Sequence, residues 1–198
     1  TWYDLTEEYD GTNWTNGGTL NTGRAAHGTT GTLTAGITFG GYTPALTANT
    51  EEYNGTAWTE TGNLSVARSH TAGSGTQTAA LCFGGLTPPA TTGTELYNGS
   101  TWTEVNDMNT GRYALSGANS GSQTATLVFG GYDTAILALT ESWNGSSWTE
   151  VNDLNTAGSS GSGFGTQPAA IFTGGDNRSY NKTESWDGTS WTETTDLN

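Results

Sequence analysis

Short apolar runs bounded by Gly, Ser and Thr recur along the chain, and nowhere do apolar residues form a stripe at 3.6-residue spacing. Ala35 to Phe39, Ala79 to Phe83 and Thr126 to Phe129 are too short for stable helices and are closed by glycine, so they predict buried strands. After each comes a loop, a segment ending in Tyr or Trp, a tight turn and a segment that opens on Trp. The turns read Tyr53-Asn54-Gly55-Thr56, Tyr97-Asn98-Gly99-Ser100 and Trp143-Asn144-Gly145-Ser146, while Tyr9-Asp10-Gly11 and Trp186-Asp187-Gly188 use Asp. Asn-Gly and Asp-Gly between strand-like segments predict hairpins on primed turns, because Asn, Asp and Gly tolerate positive φ and the twist of such turns matches that of the strands.

These elements repeat. Trp14, Trp58, Trp102, Trp148 and Trp191 are separated by 44, 44, 46 and 43 residues. The pairs Gly40-Gly41, Gly84-Gly85, Gly130-Gly131 and Gly174-Gly175 keep steps of 44 to 46. A period of this length means stacked units or blades. Complete four-stranded units fall at 21–64, 65–108, 109–154 and 155–198, in a single domain, and residues 1–20 match only the last two strands of a unit.

Gly23-Arg24 with His27, Ile37-Thr38-Phe39-Gly40-Gly41, Glu51-Glu52-Tyr53 and Trp58 together resemble one kelch repeat. In that reading an Arg-bearing first strand is followed by a strand ending in twin glycines, a third ending in an aromatic and a fourth carrying Trp. The resemblance covers essentially the whole chain. It implies an all-β fold, a β-propeller of four-stranded antiparallel blades with four complete repeats and a half repeat, either a five-bladed ring or part of a larger propeller. The fourth unit departs from the pattern, with Ala157-Gly158 where the others carry Arg and Ile171-Phe172-Thr173 before its glycines. In its richness in Thr, Ser and Gly the chain is similar to kelch-like repeat proteins of marine bacteriophages.

Composition changes the picture of the core. Leu, Ile, Val and Phe supply about 13% of the 198 residues and the net charge is -14, a balance that by itself favours disorder. Eight Trp and eight Tyr point instead to a core built from aromatic rings. Five basic against nineteen acidic residues argue against a nucleic-acid partner, and no run is long enough for a membrane span. Cys82 is the sole cysteine, so no intrachain disulfide forms and the thiol is expected in the core. The chain opens on Thr1, so we expect a processed chain, a fragment or an excerpt. Unpaired edges near Glu7 and Tyr9 would recruit another chain, and either a neighbouring chain or a missing segment is expected to complete the half blade.

Arg24, Arg68 and Arg112 recur once per unit, as do Glu51, Glu95, Glu141 and Glu184, with Glu7 at the matching place in the half unit. Buried charges need partners, so these residues predict ion pairs that fix register rather than catalyse. His27 and His70 both fall in the first-strand region of successive units, and with one Cys they form no metal cluster, so neither a metal nor a cofactor is expected. Asn106-Asp107 and Asn152-Asp153 lack calcium-loop spacing and read as solvated loops. Asn13, Asn54, Asn63, Asn98, Asn144, Asn177 and Asn181 begin glycosylation sequons, which at the Asn-Gly sites are explained by turns. The variable segments after the twin glycines, 42–49, 86–93, 132–139 and 176–182, are the expected ligand loops, with Tyr42, Leu86, Tyr132 and Arg178 as candidates. The expected function is a non-catalytic recognition or structural module for protein or glycan, extracellular or on a virion surface. The alternative is the propeller domain of a glycosidase or oxidase whose catalytic residues lie outside this chain.

Overall fold

A computed structural model describes residues 3–176 and 181–197. The described residues form no helix, only antiparallel strands. A hairpin of β1 (Glu7–Tyr9) and β2 (Trp14–Asn16) comes first. Blade 1 follows as β3 (Gly28–Thr32), β4 (Ala35–Phe39), β5 (Thr50–Tyr53) and β6 (Trp58–Thr61). Blade 2 is β7 (Ala72–Thr76), β8 (Ala79–Phe83), β9 (Thr94–Tyr97) and β10 (Trp102–Glu104). Blade 3 is β11 (Ser116–Gly117), β12 (Thr126–Phe129), β13 (Thr140–Trp143) and β14 (Trp148–Glu150). Blade 4 is β15 (Ser162–Thr166), β16 (Ala169–Thr173), β17 (Thr183–Trp186) and β18 (Trp191–Glu193). Within each blade the strands pair in chain order, and the four blades are arranged as a propeller with their first strands innermost.

Aromatic rings carry the packing between blades. Phe39 meets Trp102 edge-on at 4.9 Å, Phe83 meets Trp148 at 5.2 Å and Phe129 meets Trp191 at 4.8 Å, each pair spanning adjacent blades. The indole N–H groups of Trp102, Trp148 and Trp191 donate to Thr50, Thr94 and Thr140 of the preceding blade, at 3.0 Å each. These phenylalanines need a bare backbone opposite them. A Cβ on Gly73 would stand 2.5 Å from Phe39, and one on Gly163 2.8 Å from Phe129, so the inner strands carry glycine there. Near the central axis a belt of backbone bonds ties the blades: His70 N–H to Ala26 O at 2.6 Å, Ala114 N–H to His70 O at 3.0 Å and Ser160 N–H to Ala114 O at 2.8 Å. Ala26, His70, Ala114 and Ser160 all sit at φ between 51° and 58°, a conformation these residues adopt only when held there by their surroundings.

Three expectations are corrected. The outer hairpins do not use primed turns: Gly55, Gly99 and Gly145 have positive φ, but Asn54, Asn98 and Asn144 do not. Each loop has four residues, and the Asn carboxamide oxygen accepts from two backbone N–H groups, as Asn54 does from Thr56 at 3.0 Å and Ala57 at 2.9 Å. Asp10 and Asp187 act in the same way, and these bonds hold both carboxyls below the usual range. Arg24, Arg68 and Arg112 lie in the loops before the innermost strands rather than on them, because the strands begin only at Gly28, Ala72 and Ser116. Trp14 is not core: it is 66% exposed, and among the described residues its ring meets only Tyr9, at 5.1 Å.

Candidate functional site

The loops 42–49, 86–93 and 132–139 that follow the twin glycines emerge at one end of the propeller, and each is rooted on a buried ion pair. The Arg24 guanidinium donates to Glu51 at 2.5 Å and, from its Nη1, to the carbonyls of Gly40 at 3.1 Å and Asn49 at 2.6 Å. It therefore clamps both ends of loop 42–49. Arg68 does the same through Glu95 at 2.5 Å, Gly84 O at 3.4 Å and Gly93 O at 2.8 Å. Arg112 pairs with Glu141 at 2.8 Å and Leu139 O at 2.9 Å. The other carboxylate oxygen is also satisfied, for Glu51 by the backbone and side-chain N–H groups of Asn21 at 2.7 and 2.8 Å. Blade 4 has Gly158 in place of the Arg, and Glu184 accepts from Asn155 at 2.7 Å and Thr156 at 3.1 Å.

The loops themselves share one backbone form. Thr43, Thr87 and Asp133 donate to the carbonyls of Ala45, Pro89 and Ala135, while Thr47, Thr91 and Leu137 reach back to Gly41, Gly85 and Gly131. Tyr42, Leu86, Tyr132 and Asp176 thereby occupy one equivalent position in each blade, bridged to Ala25, Ser69, Tyr113 and Ser159. Tyr42 is exposed and Leu86 and Tyr132 are half-buried. Arg178 lies outside the described residues.

Tyr132 meets Tyr113 at 5.4 Å with the rings tilted by 56°, and Tyr113 in turn meets His70 edge-on at 5.9 Å. This chain of rings crosses from blade 2 to blade 3 at the loop end. Burial lowers the affinity of His70 for a proton. Tyr113 and His70 escaped the sequence reading as a cluster because their proximity depends on the belt of left-handed residues, and nothing in an Ala or His codes for that geometry. A groove of about 470 Å³ between the loops has Thr92, Asn109, Thr110 and Asp133 among its walls. Hydroxyl, amide and carboxylate groups in such a groove suit a polyhydroxylated or peptide-like ligand.

Other candidates resolve into structure. Asn106 and Asn152 donate to Ser146 O at 2.7 Å and Thr189 O at 2.8 Å of the next blade, and Asp153 caps Thr140 N–H at 3.0 Å. Cys82 is buried against Thr71, and burial pushes its thiol up to about 11. His27 lines the central cavity of about 240 Å³, and burial together with the Arg24 charge lowers its pKa. Among the described residues no three His, Cys, Asp or Glu side chains gather as a metal site, and no helix is long and apolar enough to cross a membrane. No protein-family model and no curated protein sequence matches the chain.

Proposed function

We propose that this propeller is a non-catalytic recognition or structural module that binds protein or glycan at the loop end bearing Tyr42, Leu86 and Tyr132. The observation that carries the reading is the pairing of a rigid base with a partly open aromatic surface. Buried Arg–Glu pairs fix the loop ends, the Tyr132, Tyr113 and His70 rings form one cluster, and the same loops wall a polar groove with Thr92, Asn109, Thr110 and Asp133. Flat rings beside hydrogen-bonding groups are what a sugar ring or an extended peptide needs for stacking and orientation. The order of Arg, twin glycines, aromatic and Trp supports assigning the blades to the kelch type. A net charge of -14 with a surface rich in Thr, Ser and Asn supports display outside the cell or on a virion. A glycan and peptide array tests the assignment. We expect saturable binding to one ligand class that weakens about tenfold or more in Tyr132→Ala, with an unchanged melting temperature. Turnover in a glycosidase and oxidase screen without any array binding contradicts it.

A further inference from the structure

The described basic side chains of this acidic chain are turned inward or neutralised where they stand. Arg24, Arg68 and Arg112 are buried, and each is balanced by a buried glutamate, Glu51, Glu95 or Glu141. Lys182 is paired with Glu193 and lies 3.7 Å from Asp196. Directly across the sheet from the buried glutamates, the outer strands carry a second set, Glu60, Glu104 and Glu150, and these are exposed. Asp107 and Asp153 add exposed carboxylates in the loops that follow β10 and β14. Blades 1 to 3 thus keep a cation inside and present carboxylates outside.

This division sets the charge of the candidate binding face. Loop 86–93 stands between two grooves that share Thr87 and Thr91 as walls. One, of about 470 Å³, has Asp133 in its wall, and the other, of about 440 Å³, has Glu104 and Asp107. Arg68 also borders the second, but Glu95 at 2.5 Å cancels its charge. Neutral donors hold the carboxylates there: Ser65 Oγ donates to Glu104 at 2.7 Å, and Asp107 accepts from Thr92 Oγ1 at 3.1 Å and from Thr94 N–H at 3.4 Å. Such bonds fix position and leave the charge in place. Among the described residues, no Lys or Arg forms an ion pair with Glu104, Asp107 or Asp133. At physiological salt, exposed charges more than about 8 Å apart are largely screened, so a ligand in these grooves responds to their own carboxylates and much less to the net charge of the chain.

We infer that the ligand of this face is an extended peptide segment carrying arginine or lysine. The inference rests on the loop end being the binding face and specifies what that face selects. Anionic walls repel sialylated, sulfated and uronate glycans and phosphorylated peptides, whereas a guanidinium fork matches a carboxylate in charge and geometry. Hydroxyl and amide groups of Thr87, Thr91, Thr92 and Asn109 supply partners for a peptide backbone that straddles loop 86–93. The Tyr132 and Tyr113 rings add aromatic surface for a cation–π contact.

The repeats themselves supply variants that test this in an intact fold. Asn63 caps Thr50 N–H in blade 1 as Asp107 caps Thr94 N–H in blade 2, and Thr43 and Thr87 stand where blade 3 has Asp133. Asp107→Asn/Asp133→Thr therefore removes two loop-end charges at positions that accept the new residues. Asn54 and Asn98 make the same turn as Asp10 and Asp187, so Asp10→Asn/Asp187→Asn removes an equal charge from the outer hairpin turns. The probes are arrayed octapeptides of basic, neutral and acidic composition and a panel of neutral and acidic glycans, and the tightest binder is labelled and titrated by fluorescence anisotropy. Arginine-bearing octapeptides are expected to bind best, with affinity falling about tenfold or more between about 0.05 and 0.3 M salt. The loop-end pair of substitutions weakens binding about tenfold and the turn pair less than about twofold, with melting temperatures unchanged. If both pairs weaken binding equally, the attraction is that of the whole chain and the inference is overturned. If neutral or acidic ligands bind instead and lose affinity in Tyr132→Ala, the loop end stands as the binding face and the ligand class inferred for it is wrong. If nothing in either panel binds, the proposed function fails together with the inference.

Discussion

At the scale of single residues, the buried Arg–Glu pairs are the features whose loss is most costly. Arg68→Ala leaves Glu95 without its cation in a dry site, and we expect about 3–5 kcal/mol of destabilisation. Thermal unfolding checks this, with Arg68→Met/Glu95→Leu recovering a large part of the loss. His27 adds a pH dependence. Its folded-state pKa lies below the ordinary value of 6.5, so the unfolded chain binds the proton more readily. The His27 contribution to stability is therefore full above about pH 6.5 and falls as pH drops below it. The difference in unfolding free energy between wild type and His27→Gln should change only on that acid side. Cys82, with its thiol raised to about 11 by burial, should resist a thiol reagent until the chain unfolds. The charges were legible in the sequence because Arg24, Arg68, Arg112 and their Glu partners recur with the blade. Their clamp on the loop ends was not, since it consists of backbone carbonyls that no residue type announces.

Elements follow from the same repetition, and their aromatic contacts divide sharply between buried and open. Trp148 is buried against Phe83 and bonded to Thr94, so Trp148→Ala should cost about 3–5 kcal/mol. Trp14, equivalent in sequence but exposed, should cost less than about 0.5 kcal/mol when changed to Ala, and paired melting curves test the contrast. The strands ending in twin glycines were readable because their apolar runs are short and glycine-bounded. The turn type was not, because Asn-Gly also serves a four-residue loop in which Asn acts as a hydrogen-bond acceptor and glycine alone takes the positive φ. Unit 3 shows the limit of periodicity. Its extra residues near Asn119 and Ser120 shorten β11 to two residues and send Ser120 N–H to Gly165 O of blade 4.

For the whole molecule, a chain poor in aliphatic residues and strongly acidic folds because Phe rings close onto glycines of the following blade and Trp indoles bond threonines of the preceding one. Cohesion is thus spread over seams between blades, strongest where a seam is complete and weakest at the N-terminal hairpin, where Trp14 and Tyr9 are exposed. The candidate binding face was legible as a set of loops, but the ring cluster of Tyr132, Tyr113 and His70 required the blades to be set side by side. Residue-resolved amide hydrogen exchange tests this account most directly. Slow exchange is expected for Leu81, Cys82, Leu127 and Val128 in blades 2 and 3, with much faster exchange at Glu8 and Tyr9 of the hairpin. Uniformly fast exchange throughout, or hairpin amides as slow as those of β8 and β12, would contradict it.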